Sequence, residues 1–169
     1  SERAYASRKL LALEIPIQRE EIDLLRSRVS GIEILHGIEV DIMHNGSLDF
    51  DDSQLEEFDI VLASLHDDRG DDRVQLTERY LRAMRHPLVN IITHPANRSP
   101  AFSAGYDLDY ERLFDAAVQT GTAMEVDGAP GHLDMDGVVA RAAADAGVTI
   151  AIDSDCHRAE ALDRPGADQ

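Results

Sequence analysis

The sequence predicts an α/β fold in which about five parallel strands alternate with helices. Two patterns in it indicate this class. Short, nearly continuous apolar runs, typical of strands buried on both faces, alternate with segments whose apolar residues recur at helical spacing. Such alternation requires crossover connections, which give parallel strands and right-handed β/α units. The chain has 169 residues, 43% of them hydrophobic, and we expect residues 1–169 to form a single domain.

The first two predicted units lie in the first 65 residues. Apolar residues at helical spacing predict a helix at 18–29, and the apolar run at 32–42 predicts the strand that follows it. The acidic segment 51–58 predicts a short helix, and the continuous apolar run at 60–65 predicts a buried strand.

The third unit has clear boundary signals. Thr77 is a favourable N-cap residue and Pro87 cannot continue a helix, so we expect a helix from Thr77 to about residue 86. The apolar segment 89–93 after the proline predicts the next buried strand.

The last two units follow the same order. Residues 109–120 predict a helix that a glycine ends, and 122–126 predict a strand. Residues 136–146 predict another helix ended by a glycine, before a final strand at 148–152.

Side chains able to bind metal stand at or near the end of every predicted strand. The carboxyl ends of parallel strands meet at one edge of a sheet or barrel, where residues distant in sequence converge. These side chains are Glu39 and Asp41, His66, His94, Glu125 and Asp127, and Asp153, Asp155 and His157. A mixed imidazole and carboxylate set suits manganese, iron or zinc better than calcium.

From these positions we take five candidate metal ligands. They are Glu39, His66, His94, Asp155 and His157. The remaining histidines are expected to be surface or packing residues, as is the single cysteine; these are His36, His44, His86, His132 and Cys156.

Composition narrows the possible partners and the setting. With 33 acidic and 16 basic residues the net charge is −17. The sequence lacks the basic stripe that a domain needs to bind DNA through its own surface. No apolar run reaches the roughly 20 residues needed to span a bilayer, and the amino end does not read as a secretory signal. We expect a cytoplasmic protein without a membrane partner.

The sequence contains none of the usual motifs of nucleophilic hydrolases or nucleotide binding. It has no G-x-S-x-G elbow, no G-x-x-x-x-G-K-[ST] loop and no dinucleotide fingerprint. Metal-assisted hydrolysis of a phosphoester is the chemistry left open.

Several motifs, in a fixed order, carry a resemblance to a known family. They are Gly37-Ile38-Glu39-Val40-Asp41-Ile42, Gly46-Ser47-Leu48-Asp49-Phe50, Ala63-Ser64-Leu65-His66, Thr77-Glu78-Arg79, Thr93-His94-Pro95, Glu125-Val126-Asp127 and Ser154-Asp155-Cys156-His157. Over about residues 18–162 the chain resembles the polymerase and histidinol phosphatase (PHP) domain. The version that it resembles most stands at the carboxyl end of bacterial family X DNA polymerases.

This resemblance implies a distorted seven-stranded β/α barrel with up to three divalent metal ions, usually manganese or zinc. Glu39 would bridge two ions, His66 and His94 would complete the second, and Asp155 and His157 would serve the first and third. The His-x-His and Thr-Asp-His motifs of the family's first two strands do not occur in the sequence. The resemblance therefore implies a partial PHP domain of about five β/α units.

The resemblance also implies a function and two alternatives. The first is a metal-dependent 3′–5′ exonuclease or DNA 3′-end processing activity in repair, with upstream polymerase domains supplying the DNA. The alternatives are a small-molecule phosphomonoesterase of the histidinol-phosphatase type and a degenerate, non-catalytic structural domain. Asp127 replaces the family's usual asparagine, and Ala96-Asn97-Arg98 replaces its Thr-Gly-Arg pattern. Arg98 is either a contact to the substrate phosphate or a solvated loop residue.

Overall fold

The computed structural model of the chain describes residues 2–68, 70–99, 103–128 and 134–155. The chain divides into two compact units, Ser1–Gly37 and Ile38–Gln169. That residues 1–169 form one domain stays a prediction. His132, Cys156 and His157 lie outside the described residues.

The first unit contains one long helix and an irregular return segment. Helix α1 spans Glu2–Arg26, so it begins well before the predicted position and ends three residues earlier. Residues 32–36 were predicted as strand, and this prediction is wrong. They fold back on the helix instead, where Arg26 donates to the Ile34 carbonyl (2.7 Å) and the His36 ring lies 3.1 Å from Gln18 Oε1.

The second unit is built on a five-stranded sheet whose strands lie side by side in chain order. The strands are β1 (Gly37–Asp41), β2 (Ile60–Ser64), β3 (Ile91–Ile92), β4 (Ala123–Asp127) and β5 (Ile150–Asp153). The pairs β2–β3, β3–β4 and β4–β5 are parallel. These strands confirm the predicted α/β class.

Four helices follow the first four strands. They are α2 (Asp52–Leu55), α3 (Arg73–Met84), α4 (Tyr110–Thr120) and α5 (Gly137–Asp145). Tyr80 and Met84 of α3, Leu113 of α4 and Met124 of β4 are among the largest fully buried side chains of the core. Burial of these apolar groups is the main favourable contribution to folding. No helix in the described ranges combines the length and apolar character needed to cross a membrane.

Helix α3 begins four residues before the predicted N-cap, Thr77. Asp72 is the actual cap: its carboxylate accepts a hydrogen bond from the Gln75 amide (2.9 Å), and the Gln75 side chain returns to the Asp72 amide (2.9 Å). This reciprocal pair is a capping box, which sequence spacing around Thr77 does not reveal. The Thr77 hydroxyl instead donates to the Arg73 carbonyl and accepts from the Asp109 amide (3.0 Å).

The N-cap of α5 gives a first testable prediction. Asp136 accepts hydrogen bonds from the Val138 and Val139 amides, both at 3.0 Å. Asp136→Ala is expected to lower the free energy of unfolding by about 1 kcal/mol in urea titrations at pH 7. Asp115→Ala on the exposed face of α4 is the matched control and should cause no such loss, because alanine favours a helix interior.

The same cap has a defined pH dependence. The hydrogen bonds from the two amides, that of Val139 foremost, hold the pKa of Asp136 below its usual value. Its contribution to stability is therefore present above the unfolded-state pKa of about 3.9 and is lost as the pH falls through the lower folded-state pKa. The stability difference between wild type and Asp136→Ala should shrink in that acid range.

Candidate metal centre

Three predicted ligands meet at one edge of the sheet. Glu39 lies in β1, His66 follows β2 by two residues, and His94 follows β3 by two residues. Each offers one ligand atom, and these atoms all lie within 4.8 Å of one another. Within the described part of the chain, no other group of three or more histidine, cysteine or acidic residues meets this criterion. We call these three residues the triad.

The distances within the triad fit a divalent ion. Glu39 Oε1 lies 3.1 Å from His94 Nε2 and 3.6 Å from His66 Nε2. Ligand bonds of 2.0–2.2 Å separate neighbouring ligand atoms by roughly 3.0–3.5 Å in octahedral or tetrahedral geometry. The triad could therefore close around one ion with only small side-chain movements.

A neighbouring carboxylate orients His66. Asp41 Oδ1, at the end of β1, lies 2.6 Å from His66 Nδ1, and this contact raises the pKa of His66. A proton on Nδ1 leaves the lone pair of Nε2 directed toward Glu39. Carboxylates commonly orient metal-binding histidines in this manner. Asp41 is therefore part of the site, although it was not among the candidate ligands.

The charge state of Glu39 also suits a cation. The hydrogen bond from His94 lowers the pKa of Glu39 to about 2, so its carboxylate is ionised at neutral pH. Burial lowers the pKa of His94, but the hydrogen bond and charge of Glu39 outweigh this and raise it overall. A bound metal ion would replace the hydrogen bond between these two side chains, since metal ligands must be deprotonated.

Asp155 lines the cavity next to the triad, whereas Arg98 is not among its lining residues. Asp155 lines a cavity of about 340 Å³ together with Glu39 and His94. Arg98 lies in the loop after β3 and is not among the residues that line this cavity. Its backbone amide donates to Asp134 Oδ1 (2.9 Å), so the carboxylate of Asp134 fixes the loop there.

Two of the predicted ligands have unusual backbone conformations. The φ angles of His94 and Asp155 are 28° and 43°, in a region that non-glycine residues seldom occupy. His94 Nδ1 is also buried without a hydrogen-bond partner. Such strain, of order 1–3 kcal/mol per residue, is concentrated at functional sites and persists only where surrounding contacts hold it.

Glu125 and Asp153 supply such contacts. Glu125 Oε2 accepts a 2.6 Å hydrogen bond from the His94 amide, and Asp153 Oδ1 accepts a 3.0 Å hydrogen bond from the Asp155 amide. Burial, then a hydrogen bond with Asp153, raises the pKa of Glu125 to about 9. The Glu125 carboxyl is thus protonated at neutral pH. In the sequence, Glu125 is visible as an acid within an apolar strand segment. That pattern does not reveal its hydrogen bond to the His94 amide.

Arg79 fixes the loops that carry Asp41 and His66. Its guanidinium is almost fully buried and donates to the Ile42 carbonyl (2.7 Å) and the Met43 carbonyl (3.1 Å) in the loop after β1. It also donates to the Asp67 carbonyl and to Asp71 Oδ2, both at 2.9 Å, in the loop after β2. One side chain of α3 therefore joins the two loops.

Comparisons with known proteins show which family the chain belongs to. No family model matches the chain. A DNA polymerase/3′-5′ exonuclease PolX of Bacillus subtilis (strain 168) is 37% identical over 154 residues, covering 91% of this chain and 27% of the relative. The chain belongs to the PHP family. The resemblance inferred from its motifs is confirmed.

Other relatives of this PHP chain are named as probable phosphatases. A probable phosphatase of Thermoanaerobacter sp. (strain X514) is 34% identical over 146 residues, and one of Shewanella oneidensis is 35% identical over 148 residues. These alignments cover 80% and 82% of the PHP chain, and 57% and 56% of the respective relatives. The chain thus spans little more than half of these phosphatases and about a quarter of the polymerase.

Proposed function

We propose that this PHP domain is a metal-dependent phosphoesterase. The observation that carries the proposal is that ligand atoms of Glu39, His66 and His94 converge beside a cavity that Glu39 and His94 line. Asp155, which lines the same cavity, and His157 are proposed as further ligands, as the resemblance implies. The imidazole and carboxylate donors favour manganese or zinc.

The side chains of the triad and its neighbours have distinct proposed tasks. Glu39, His66 and His94 hold the ion, and Asp41 keeps Nε2 of His66 available to it. A bound divalent ion would polarise a phosphate oxygen and activate a water molecule. Without a cation, the negative charges of Glu39, Asp41 and Asp155 would repel a phosphate group, so substrate binding should depend on metal. Arg98 is proposed as a phosphate contact from the loop after β3.

The first proposed substrate is the 3′ end of DNA. The relative named as a 3′-5′ exonuclease aligns with 91% of the chain, which favours exonuclease or 3′-end processing activity. The net charge of −17 opposes DNA binding by the domain's own surface. We therefore propose that polymerase domains elsewhere in a longer chain would deliver the DNA.

The second proposed substrate is a small phosphomonoester. The relatives named as probable phosphatases and the acidic composition favour this alternative. A non-catalytic structural role is the third possibility, and it predicts that the triad binds no metal or that the metal-loaded protein has no turnover.

Hydrolysis assays on the purified chain separate these functions. A 5′-labelled single-stranded oligonucleotide and p-nitrophenyl phosphate are incubated with Mn²⁺, Zn²⁺ or EDTA. Stepwise shortening from the 3′ end with metal supports the exonuclease, and turnover of p-nitrophenyl phosphate alone supports the phosphomonoesterase. No turnover of either substrate by metal-loaded protein would contradict both. His86→Ala removes a histidine paired with an acid away from the triad and serves as a control.

Replacement of Asp41 tests the orientation of His66. Asp41→Ala is expected to lower Mn²⁺ affinity about 10- to 100-fold, the range typical of groups that orient metal ligands. Isothermal titration calorimetry measures this change. Asp52→Ala is the matched control, because Asp52 pairs with His86 at 3.1 Å outside the triad. Unchanged affinity in Asp41→Ala would show that the Asp41–His66 contact does not support metal binding.

A further inference from the structure

We propose that Glu125 is a positioning residue for the metal centre: it holds the backbone of His94 in the conformation that directs Nε2 at Glu39. This inference rests on the proposed metal role of His94. It concerns how the chain builds the site, which neither the relatives' names nor the ligand motifs address.

The position of Glu125 in the sheet makes this role possible. β4 pairs with β3 on one side and with β5 on the other, so a side chain of β4 can reach the loops that follow both neighbours. Glu125 is 3% exposed, and its Oε2 accepts the 2.6 Å hydrogen bond from the His94 amide.

The conformation of His94 requires such a partner. At a φ of 28° the His94 backbone is strained, and without another contact it would relax to a common region of conformational space. That relaxation would rotate the Cα–Cβ bond and carry the imidazole away from Glu39, which now lies 3.1 Å from Nε2. The hydrogen bond to Glu125 opposes the rotation directly.

Two further observations favour a positioning role over direct ligation. Glu125 lines the cavity, but among the described residues only Glu39, His66 and His94 converge as a possible ligand group. The Glu125 carboxyl is also engaged on both sides, by the His94 amide and by Asp153. Because Asp153 accepts from the Asp155 amide, the acid pair contacts both strained residues of the site.

Three substitutions distinguish the hydrogen bond from the charge. Glu125→Gln keeps an acceptor for the His94 amide and can donate to Asp153. Glu125→Asp keeps the carboxylate but is one methylene too short to reach the amide. Glu125→Met keeps the length without an acceptor. We expect Mn²⁺ affinity close to wild type for Gln and about 10- to 100-fold lower for Asp and Met. Thr122→Val removes buried hydrogen bonds at the opposite end of β4 and should leave the affinity unchanged.

Calorimetric titration with Mn²⁺ and NMR of the metal-free protein are the two readouts. In NMR spectra, the Asp and Met variants should lose the low-field amide proton of His94, and its ¹³Cα and ¹³Cβ shifts should move toward those of an ordinary φ. Wild-type Mn²⁺ affinity in Glu125→Met would overturn the inference. So would a lower Mn²⁺ affinity in Glu125→Gln together with wild-type affinity in Glu125→Asp. If the wild type binds no metal, the proposed function fails, whereas the NMR shifts of the variants still decide the role of Glu125.

Discussion

Glu39→Gln is expected to lower the affinity for Mn²⁺ by at least about 100-fold, beyond the 10- to 100-fold effect of groups that only orient ligands. Glu39 is the acid of the triad and contacts both histidines, at 3.1 and 3.6 Å. Glutamine keeps the size of the side chain but removes the negative charge that a divalent ion requires. Isothermal titration calorimetry gives the affinity directly.

The same substitution should leave the fold intact. Glu39 is partly exposed, and ion pairs in contact with solvent typically contribute less than about 1 kcal/mol. Urea unfolding of Glu39→Gln should therefore resemble that of the wild type. Glu57→Gln, at an exposed glutamate away from the triad, controls for the change in net charge. Equal Mn²⁺ affinity in Glu39→Gln and Glu57→Gln would exclude the triad as the metal site.

Arg79→Met is expected to have the largest effect on stability, a loss of about 3–5 kcal/mol in the free energy of unfolding. The substitution leaves the Ile42 and Asp67 carbonyls without the Arg79 donor, and the Met43 carbonyl keeps only the hydrogen bond from the Gly46 amide. It also leaves Asp71, whose side chain is 5% exposed, without its buried cation. Urea titration measures the loss. Arg82→Met on the same helix is the matched control, since Arg82 is exposed and donates one hydrogen bond to the Asn45 carbonyl.

A double variant identifies the source of this loss. Asp71→Asn in the Arg79→Met background removes the buried charge that has lost its arginine partner, and should recover part of the stability. If Arg79→Met costs no more than Arg82→Met, then Arg79 does not join the two loops as described. The loops carry Asp41 and His66, so Mn²⁺ affinity should fall together with stability in Arg79→Met.

The convergence of three candidate ligands was predictable from sequence because it follows from the topology of the sheet. Glu39, His66 and His94 stand at or near the ends of apolar runs, and parallel strands bring such ends together whatever the details of packing. The helices that begin near Asp109 and Asp136 were equally visible, because cap residues and apolar spacing agree there.

The supporting residues were not predictable, because their roles depend on tertiary hydrogen bonds. Asp41, Glu125 and Arg79 stood in recognisable motifs, but no spacing shows which carbonyl or amide each one contacts. Two predicted boundaries were wrong because local contacts set them. The Asp72 capping box places the start of α3 before Thr77, and residues 32–36 make contacts with α1 in place of strand pairing. The metal roles of all five candidate ligands and the substrate role of Arg98 stay predictions.

The metal content of the purified protein shows whether the triad binds an ion. Plasma mass spectrometry on purified wild-type protein, loaded with Mn²⁺ or Zn²⁺ and freed of excess by gel filtration, counts the ions bound per chain. We expect at least one ion per wild-type chain and a large loss of bound metal in both Glu39→Gln and His94→Ala, with His86→Ala unchanged. A wild-type chain without metal, or full occupancy in the two triad variants, would contradict it.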